Sequence, residues 1–358
     1  MLNFTVGPVM SDPEVLEVAS VSTPYFRTPE FSAIMKENER MFLQLLHAPA
    51  DSRAVFLTSS GTGAMESCVM NLLSDADRVI VINGGSFGQR FAELCALHKR
   101  NYTEVKCAFG SQLKVEQLTG LEDHTALLIN MGETSSGVVY DMEMVADFCR
   151  KNGILLIVDA ISSFLAEKLD MEALGAAAVL TGSQKALAVQ PGVSLIALSP
   201  EGLARVEQNP EVCMYLSLRE ALKNAERGQT PFTPAVTTLL QIHTRLAAIV
   251  KQGGAEAVTA EMAELAAAFR AGIRDLPFTL VAETPSNAVT ALHPLYAPAT
   301  GIVRVLKDEY GIWACPNGGA MAAEVFRIGH LGHIRPEDLK TLLDALHDMN
   351  DRGLLGSP

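Results

Sequence analysis

Lys185 is the one charged residue in "VLTGSQKALAVQPGVSL" (179–195), a turn set between two apolar runs. A buried ammonium is costly unless it is paired or neutralised by chemistry. This amine is therefore a candidate to react with a carbonyl group. Asp159, 26 residues earlier, closes the apolar run "ILLIVD". A carboxylate there should be neutralised or paired, and capping the following "AISS" is the other reading. In "TSSGTGAMES" (58–67) a Ser/Gly/Thr turn runs straight into a helical pattern. Its free backbone N–H groups and positive dipole end suit a phosphate, although a plain N-cap by Ser60 or Thr62 uses the same residues. The turn lacks both the G-K-[ST] ending of a P-loop and the G-x-G-x-x-G spacing of a dinucleotide site. In "NGGSFGQRF" (83–91), two glycines allow close backbone approach. Phe87 is then either a core residue or a flat surface for a planar ligand.

These residues need a scaffold that gathers them. Strands are expected at "AVFLT" (54–58), "RVIVIN" (78–83), "ALLIN" (126–130), "ILLIVD" (154–159), "AAVLTG" (177–182) and "VSLIAL" (193–198). Helical patterns cover Ala64–Leu73, Phe87–His98, Met142–Lys151 and Met171–Leu174. Uninterrupted apolar strands joined by helical crossovers predict an α/β fold with a mainly parallel sheet, covered on both faces. The last strand follows a short loop, which allows it to run antiparallel. Ligands collect outside the carboxyl ends of such strands, and all four polar stretches lie there. If their strands are neighbours, Lys185 and Asp159 share one crevice. A buried salt bridge would account for both residues but contributes little net stability. An aldehyde on the lysine and a protonated ring nitrogen on the aspartate account for more, and the phosphate cradle and aromatic surface then have roles. That combination is the pyridoxal phosphate arrangement.

Length and composition narrow the class. A chain of 358 residues suits a large α/β unit with a smaller domain. We place an N-terminal arm at 1–20, able to pack with the small domain. The large cofactor-binding domain is placed at 21–250, and a small α+β domain at 251–358, after the Gly pair near 253–254. Pro336 fits the first turn of the final helix. The net charge of −13 and the lack of a Lys/Arg-rich run argue against a nucleic-acid partner. No stretch has the length of a membrane span, and "MLNFTVGPVM" lacks a signal-peptide pattern, so a cytoplasmic location is expected. The six cysteines include no C-x-x-C pair and read as reduced thiols. His330 and His333 in "HLGHIRPED" have no matching ligand cluster, so no metal is expected; they read as a loop leading into a helix.

As an ordered set, "SSGTGAMES", "NGGSFGQRF", "ETSSGVVYD", "VDAISSF", "TGSQKAL" and "GQTPFTP" resemble the class V aminotransferases of pyridoxal phosphate fold type I. The likeness runs from "FTVGPVMSDPEV" to "FRIGHLG", nearly the whole chain, and is nearest the alanine/serine–glyoxylate and 2-aminoethylphosphonate–pyruvate branch. It implies that Lys185 binds the cofactor aldehyde as an imine and that Asp159 holds the pyridinium N–H. Phe87 would stack on one ring face and Ile161 lie against the other. Gly61, Thr62, Gly63 and Gln184 would line the phosphate cup, with Thr230 reaching it from the neighbouring subunit of a homodimer. Thr134 would stand near the cofactor's 3′-oxygen. Arg327 would grip the substrate carboxylate, for which its fork can make two parallel bonds. A surface arginine in an edge strand is the weaker reading, because Val325, Phe326 and Ile328 surround it. The "VGP" turn at Gly7 would close over the substrate. One departure concerns substrate recognition: many relatives have a His before the Glu of "ETSSG", where this chain has Met131 and Gly132.

The resemblance implies transamination from a small amino donor to pyruvate or glyoxylate with ping-pong kinetics. The freed Lys185 amine would move the proton between the substrate Cα and the cofactor. Arg27 in "YFRTPEF" would hold the entrance or a second anionic group, such as a phosphonate, or be purely structural. A lyase or cysteine desulfurase on the same fold is the alternative, with Cys315, in loop-like "WACPNGGAM", as its nucleophile. A cofactor-binding protein without turnover is the non-enzymatic alternative.

Overall fold

The computed structural model describes residues 1–357. The strands are β1 (Leu2–Phe4), β2 (Arg53–Leu57), β3 (Arg78–Asn83), β4 (Asn101–Lys106), β5 (Ala126–Asn130), β6 (Gly132–Glu133) and β7 (Val138–Val139). They continue with β8 (Leu155–Asp159), β9 (Ala176–Gly182), β10 (Ser194–Leu198), β11 (Phe278–Leu280), β12 (Val289–Pro294), β13 (Ile312–Pro316) and β14 (Phe326–Gly329). A seven-stranded sheet has the order β2-β10-β9-β8-β5-β3-β4. Only β10 runs antiparallel to its neighbours. The architecture is α/β, with a mainly parallel sheet covered on both faces.

The residues explain why this sheet is parallel and covered on both sides. β5, β8 and β9 are buried along their whole length. Successive side chains enter opposite cores: Ile80, Ile82, Leu127 and Ile129 pack on one face, while Val79, Val81, Ala126 and Leu128 pack on the other. Each such Val, Leu or Ile contributes about 1.5–3 kcal/mol through burial. β4, which apolar runs did not reveal, is an edge strand, and its "NYTEVK" alternates between covered and open positions.

Two helices begin where the apolar pattern had not placed them. The first spans Gly61–Leu72 and so includes both glycines of the "SGTG" turn. The second spans Ser86–Leu97. First-turn positions tolerate weak helix formers because their N–H groups have no partners within the helix.

A five-stranded sheet, β1-β13-β14-β12-β11, lies over its own core of Phe4, Phe269, Phe326 and Leu342. Helices Gly254–Gly272, Ala299–Tyr310 and Pro336–Asp351 pack there. β1 joins from the other end of the chain, parallel to β13, with Phe4 beside Ala314. β13 holds Cys315, so the "WAC" segment is strand rather than loop. β13 and β14 are short, five and four residues long. Among the described residues, no helix is long and apolar enough to cross a membrane.

Candidate active site

Five neighbouring or near-neighbouring strands, β2, β3, β5, β8 and β9, point their carboxyl ends the same way and deliver the candidate residues there. β8 ends on Asp159, and β9 leads through Gly182 into Lys185. Both side chains are buried. They form no ion pair with each other: Lys185 Nζ donates to the Val6 carbonyl at 2.5 Å. Burial pulls the Lys185 amine down to about 8; Arg327 acts in the same direction, while Cys315 and Asp159 oppose it. Burial pushes Asp159 up to about 6, against hydrogen bonds from Ile161 and Asn130 and with Glu133 adding to the rise. Ile161 N–H donates to Asp159 Oδ1 at 2.7 Å, and Asn130 Nδ2 donates to Oδ2. The buried Asn130 Oδ1 has no partner. Asp159 thus caps a turn with one oxygen and accepts from Asn130 with the other.

The "SGTG" turn is a bare helix start. Ser60 occupies the N-cap position in extended conformation, but its side chain caps nothing. A Cβ on Gly61 would collide with Ile161 Cδ1, and one on Gly63 would lie 2.8 Å from Ser59 Cβ. The backbone therefore lies against Ile161, with its first N–H groups free of side-chain caps. Thr62 Oγ1 accepts from Arg90 Nη1 at 3.0 Å, and the Arg90 guanidinium sits 5.1 Å from the Phe87 ring centre. The Gln184 side chain folds back toward Gly182, where an added Cβ would lie 2.8 Å from Oε1.

Phe87 is set by a residue that the sequence reading treated only as part of a motif. Buried Glu133 Oε2 accepts from the N–H groups of Phe87 at 3.1 Å and Gly88 at 3.0 Å. Its Oε1 accepts from Ser135 N at 3.0 Å and Ser135 Oγ at 2.5 Å. A carboxylate here satisfies helix N–H groups and complements the dipole. Glu133→Gln places an amide NH₂ against either the helix donors or Ser135. A loss of about 1–3 kcal/mol in unfolding free energy is expected, measured by urea denaturation. Asn130 was also missed; its signal is a polar residue closing an apolar strand, paired in register with Asp159. At the departure position, a Cβ on Gly132 would lie 2.7 Å from Ser163 Oγ, so an imidazole there requires Ser163 to move.

Arg327 lies on β14, an interior strand, and is nine-tenths buried. Its Nη1 donates to the Thr134 carbonyl at 3.2 Å, and Nη2 donates to the Pro316 carbonyl at 2.7 Å and Cys315 Sγ at 3.1 Å. Nε is buried without a partner. Thr134 thus meets Arg327 through its main chain. Gly7, at φ +121°, passes over the lysine: a Cβ there would be 2.8 Å from Lys185 Cδ.

Arg27 and Thr230 form a separate cluster. Arg27 donates to Gln229 Oε1, the Thr230 carbonyl and the Pro231 carbonyl, each at 3.4 Å. Thr230 Oγ1 donates to the Phe232 carbonyl at 2.7 Å. His330 shares a hydrogen bond with Thr290, and His333 pairs with Asp12. Among the described residues there is no metal-ligand cluster, and all six cysteines are free.

A family model described as "Aminotransferase class-V" matches residues 17–324. The soluble hydrogenase 42 kDa subunit of Anabaena cylindrica is 30% identical, covering 93% of this chain and 89% of its own length. A serine–glyoxylate aminotransferase of Arabidopsis thaliana is 29% identical, covering 92% of this chain and 85% of its own. The crystal structure of an aspartate aminotransferase of subgroup IV from Thermus thermophilus superposes with a TM-score of 0.92 at 26% identity, covering 98% of this chain and 99% of that one.

Proposed function

The chain belongs to the class V aminotransferase family, and from that premise we propose that it moves an amino group from a small donor to pyruvate or glyoxylate by ping-pong turnover. Alanine-like or serine-like amino acids and 2-aminoethylphosphonate are the proposed donors. The protein is a transaminase, and its cofactor is pyridoxal phosphate. The residues present fit that group. The glycine-lined helix start has no side-chain cap, a buried carboxylate stands beside Asn130 with its unpartnered oxygen, and a buried amine lies close enough to act on that carboxylate.

Bound pyridoxal phosphate supplies an aldehyde for the amino group and a sink for the electrons left when the donor Cα–H breaks. The chain's residues have distinct tasks. Gly61, Thr62, Gly63 and Gln184 would hold the phosphate, with Phe87 and Ile161 on the two ring faces. Asp159 would hold the ring N–H, and that positive charge would keep its carboxylate ionised. Lys185 Nζ takes the proton from the donor Cα, a role suited by an amine brought down to about 8. Arg327 binds the carboxylate of an amino-acid donor or of the oxo-acid acceptor. Thr230 completes the phosphate cup of a second subunit in a homodimer. Among the described residues its hydroxyl bonds only to the Phe232 carbonyl, and the exposed Tyr25, Met214 and Tyr215 also support that arrangement.

The observation that carries the substrate assignment is the buried Arg327, whose Nε lacks a partner. Buried guanidinium groups normally have their donors satisfied, and a small carboxylate supplies the missing acceptor. Alanine, serine, aspartate and 2-aminoethylphosphonate should be added singly to loaded enzyme while the cofactor's visible absorbance is followed. Bleaching by at least one, with release of its oxo product, is expected; no response to any of the four overturns the donor assignment. Cys315 against Arg327 also favours testing the desulfurase reading. Cys315→Ser is expected to retain transamination within about threefold, since the hydroxyl still accepts from Arg327. Sulfide release from cysteine that disappears in this variant would favour desulfuration instead.

A further inference from the structure

We propose that Asn3 and Thr5 are positioning residues for Lys185: they fasten the Val6–Gly7–Pro8 turn so that the Val6 carbonyl holds the reacting amine. The inference rests on the reading above only in taking Lys185 as that amine. Among the described residues, the Val6 oxygen is the one hydrogen-bond partner of Nζ, at 2.5 Å. The turn that brings it there is tied by side chains. Asn3 Nδ2 donates to the Pro8 carbonyl at 2.9 Å, and Thr5 Oγ1 donates to the same oxygen at 3.1 Å. Thr5 N–H closes the arrangement by donating to Asn3 Oδ1 at 2.9 Å. Neither side chain has a hydrogen bond to Lys185, Asp159 or Arg327. Their influence passes through the backbone.

The turn is held on its other side by the sheet that carries Arg327. Phe4 pairs with Ala314, and the next residue of β13, Cys315, pairs with Arg327. Gly329 lies so close to the Thr5 carbonyl that it has no room for a Cβ. The carbonyl therefore follows a strand of one sheet and the amine a strand of the other. Accepting one N–H fixes the direction of the remaining bonds and lone pair on Nζ, which governs where a proton can be taken up or delivered. The acceptor also favours the protonated amine against burial. The other groups acting on Lys185 are Asp159 at the end of β8, Cys315 on β13 and Arg327 on β14.

The test compares full-length wild type, Asn3→Ala/Thr5→Val and Thr5→Ser. In cofactor-free protein, acetic anhydride labelling of Lys185 is followed by mass spectrometry from about pH 6 to pH 11, to give the amine's titration midpoint. The double variant should titrate about one unit lower, roughly a tenfold loss of proton affinity, and Thr5→Ser should match wild type. In loaded enzyme, the pH profile of kcat should move in the same direction, with KM for the amino donor within about twofold. A midpoint unchanged in a folded double variant overturns the proposal, as does an equal shift in Thr5→Ser. If the double variant does not fold, the single variants Asn3→Ala and Thr5→Val take its place: each should shift in the same direction, and no shift in either overturns the proposal. The labelling needs no turnover, so its result is separate from that of the donor screen.

Discussion

Lys185→Ala is expected to lower kcat by roughly 10⁴-fold while leaving the protein folded and able to bind the cofactor's phosphate. The buried amine has two proposed tasks, holding the cofactor and moving the substrate Cα proton, and alanine would do neither. The phosphate cup and Arg327 lie on other elements and remain, so binding should survive better than turnover. Single-turnover kinetics with the donor found by the absorbance screen measures the loss. Borohydride treatment of loaded wild type should leave a pyridoxyl group on Lys185 that the variant lacks. Added methylamine should restore part of the rate, because a free amine can move the same proton. The variant also removes a pH dependence of stability. The folded amine titrates near 8, below the ordinary lysine value of 10.5. Between these values the unfolded chain binds more protons, so this group makes stability rise with pH through that window. That contribution should be absent from Lys185→Ala in denaturation measured from about pH 7 to pH 11.

Asp159→Asn has two expected effects of opposite sign. Turnover should fall by roughly 10³-fold, because a neutral amide cannot balance a positive ring nitrogen in a water-poor pocket. The cofactor-free protein, in contrast, should become more stable above about pH 6. Burial raises the carboxyl from 3.8 to about 6, so the folded state holds more protons than the unfolded chain between those values. Stability is therefore lost as pH rises through that window, and the full penalty persists above it. Asparagine removes the charge and can still accept from Ile161 N–H. A flipped Asn130 would offer its unpartnered oxygen to the new amide. The gain should be about 1–3 kcal/mol at pH 8 and vanish near pH 4, measured by urea denaturation. With cofactor bound, the order should reverse, with wild type the more stable. Equal behaviour of the two proteins at pH 8 without cofactor would contradict the burial argument.

The large sheet was legible because its inner strands are read without neighbours. "RVIVIN" and "ALLIN" are continuous apolar segments, and their observed limits coincide with the expected ones. The crevice followed from the same pattern, since parallel strands deliver their following loops to one edge. Features that depend on distant pairing were not legible. β4 shows mixed polarity because it has a neighbour on only one side. β13 and β14 are short, and their pairing with β1 and β12 has no local signature. Asn130 and Glu133 are ordinary polar residues in sequence; their importance comes from where Asp159 and the Phe87 helix fall in space. The Val6 carbonyl is least legible of all, because every residue offers the same backbone oxygen.

The place of β1 also sets the order in which the enzyme can be built. Leu2 is made long before its register partner, Ile312. The β1 segment must stay unpaired while the residues between them are synthesised, and closing so large a loop is a slow folding step. The large sheet can form well before then, but with nothing in place over its lysine. Competence for the reaction should thus appear abruptly and late in synthesis, and a ribosome-bound chain stalled before residue 312 should be compact yet inactive.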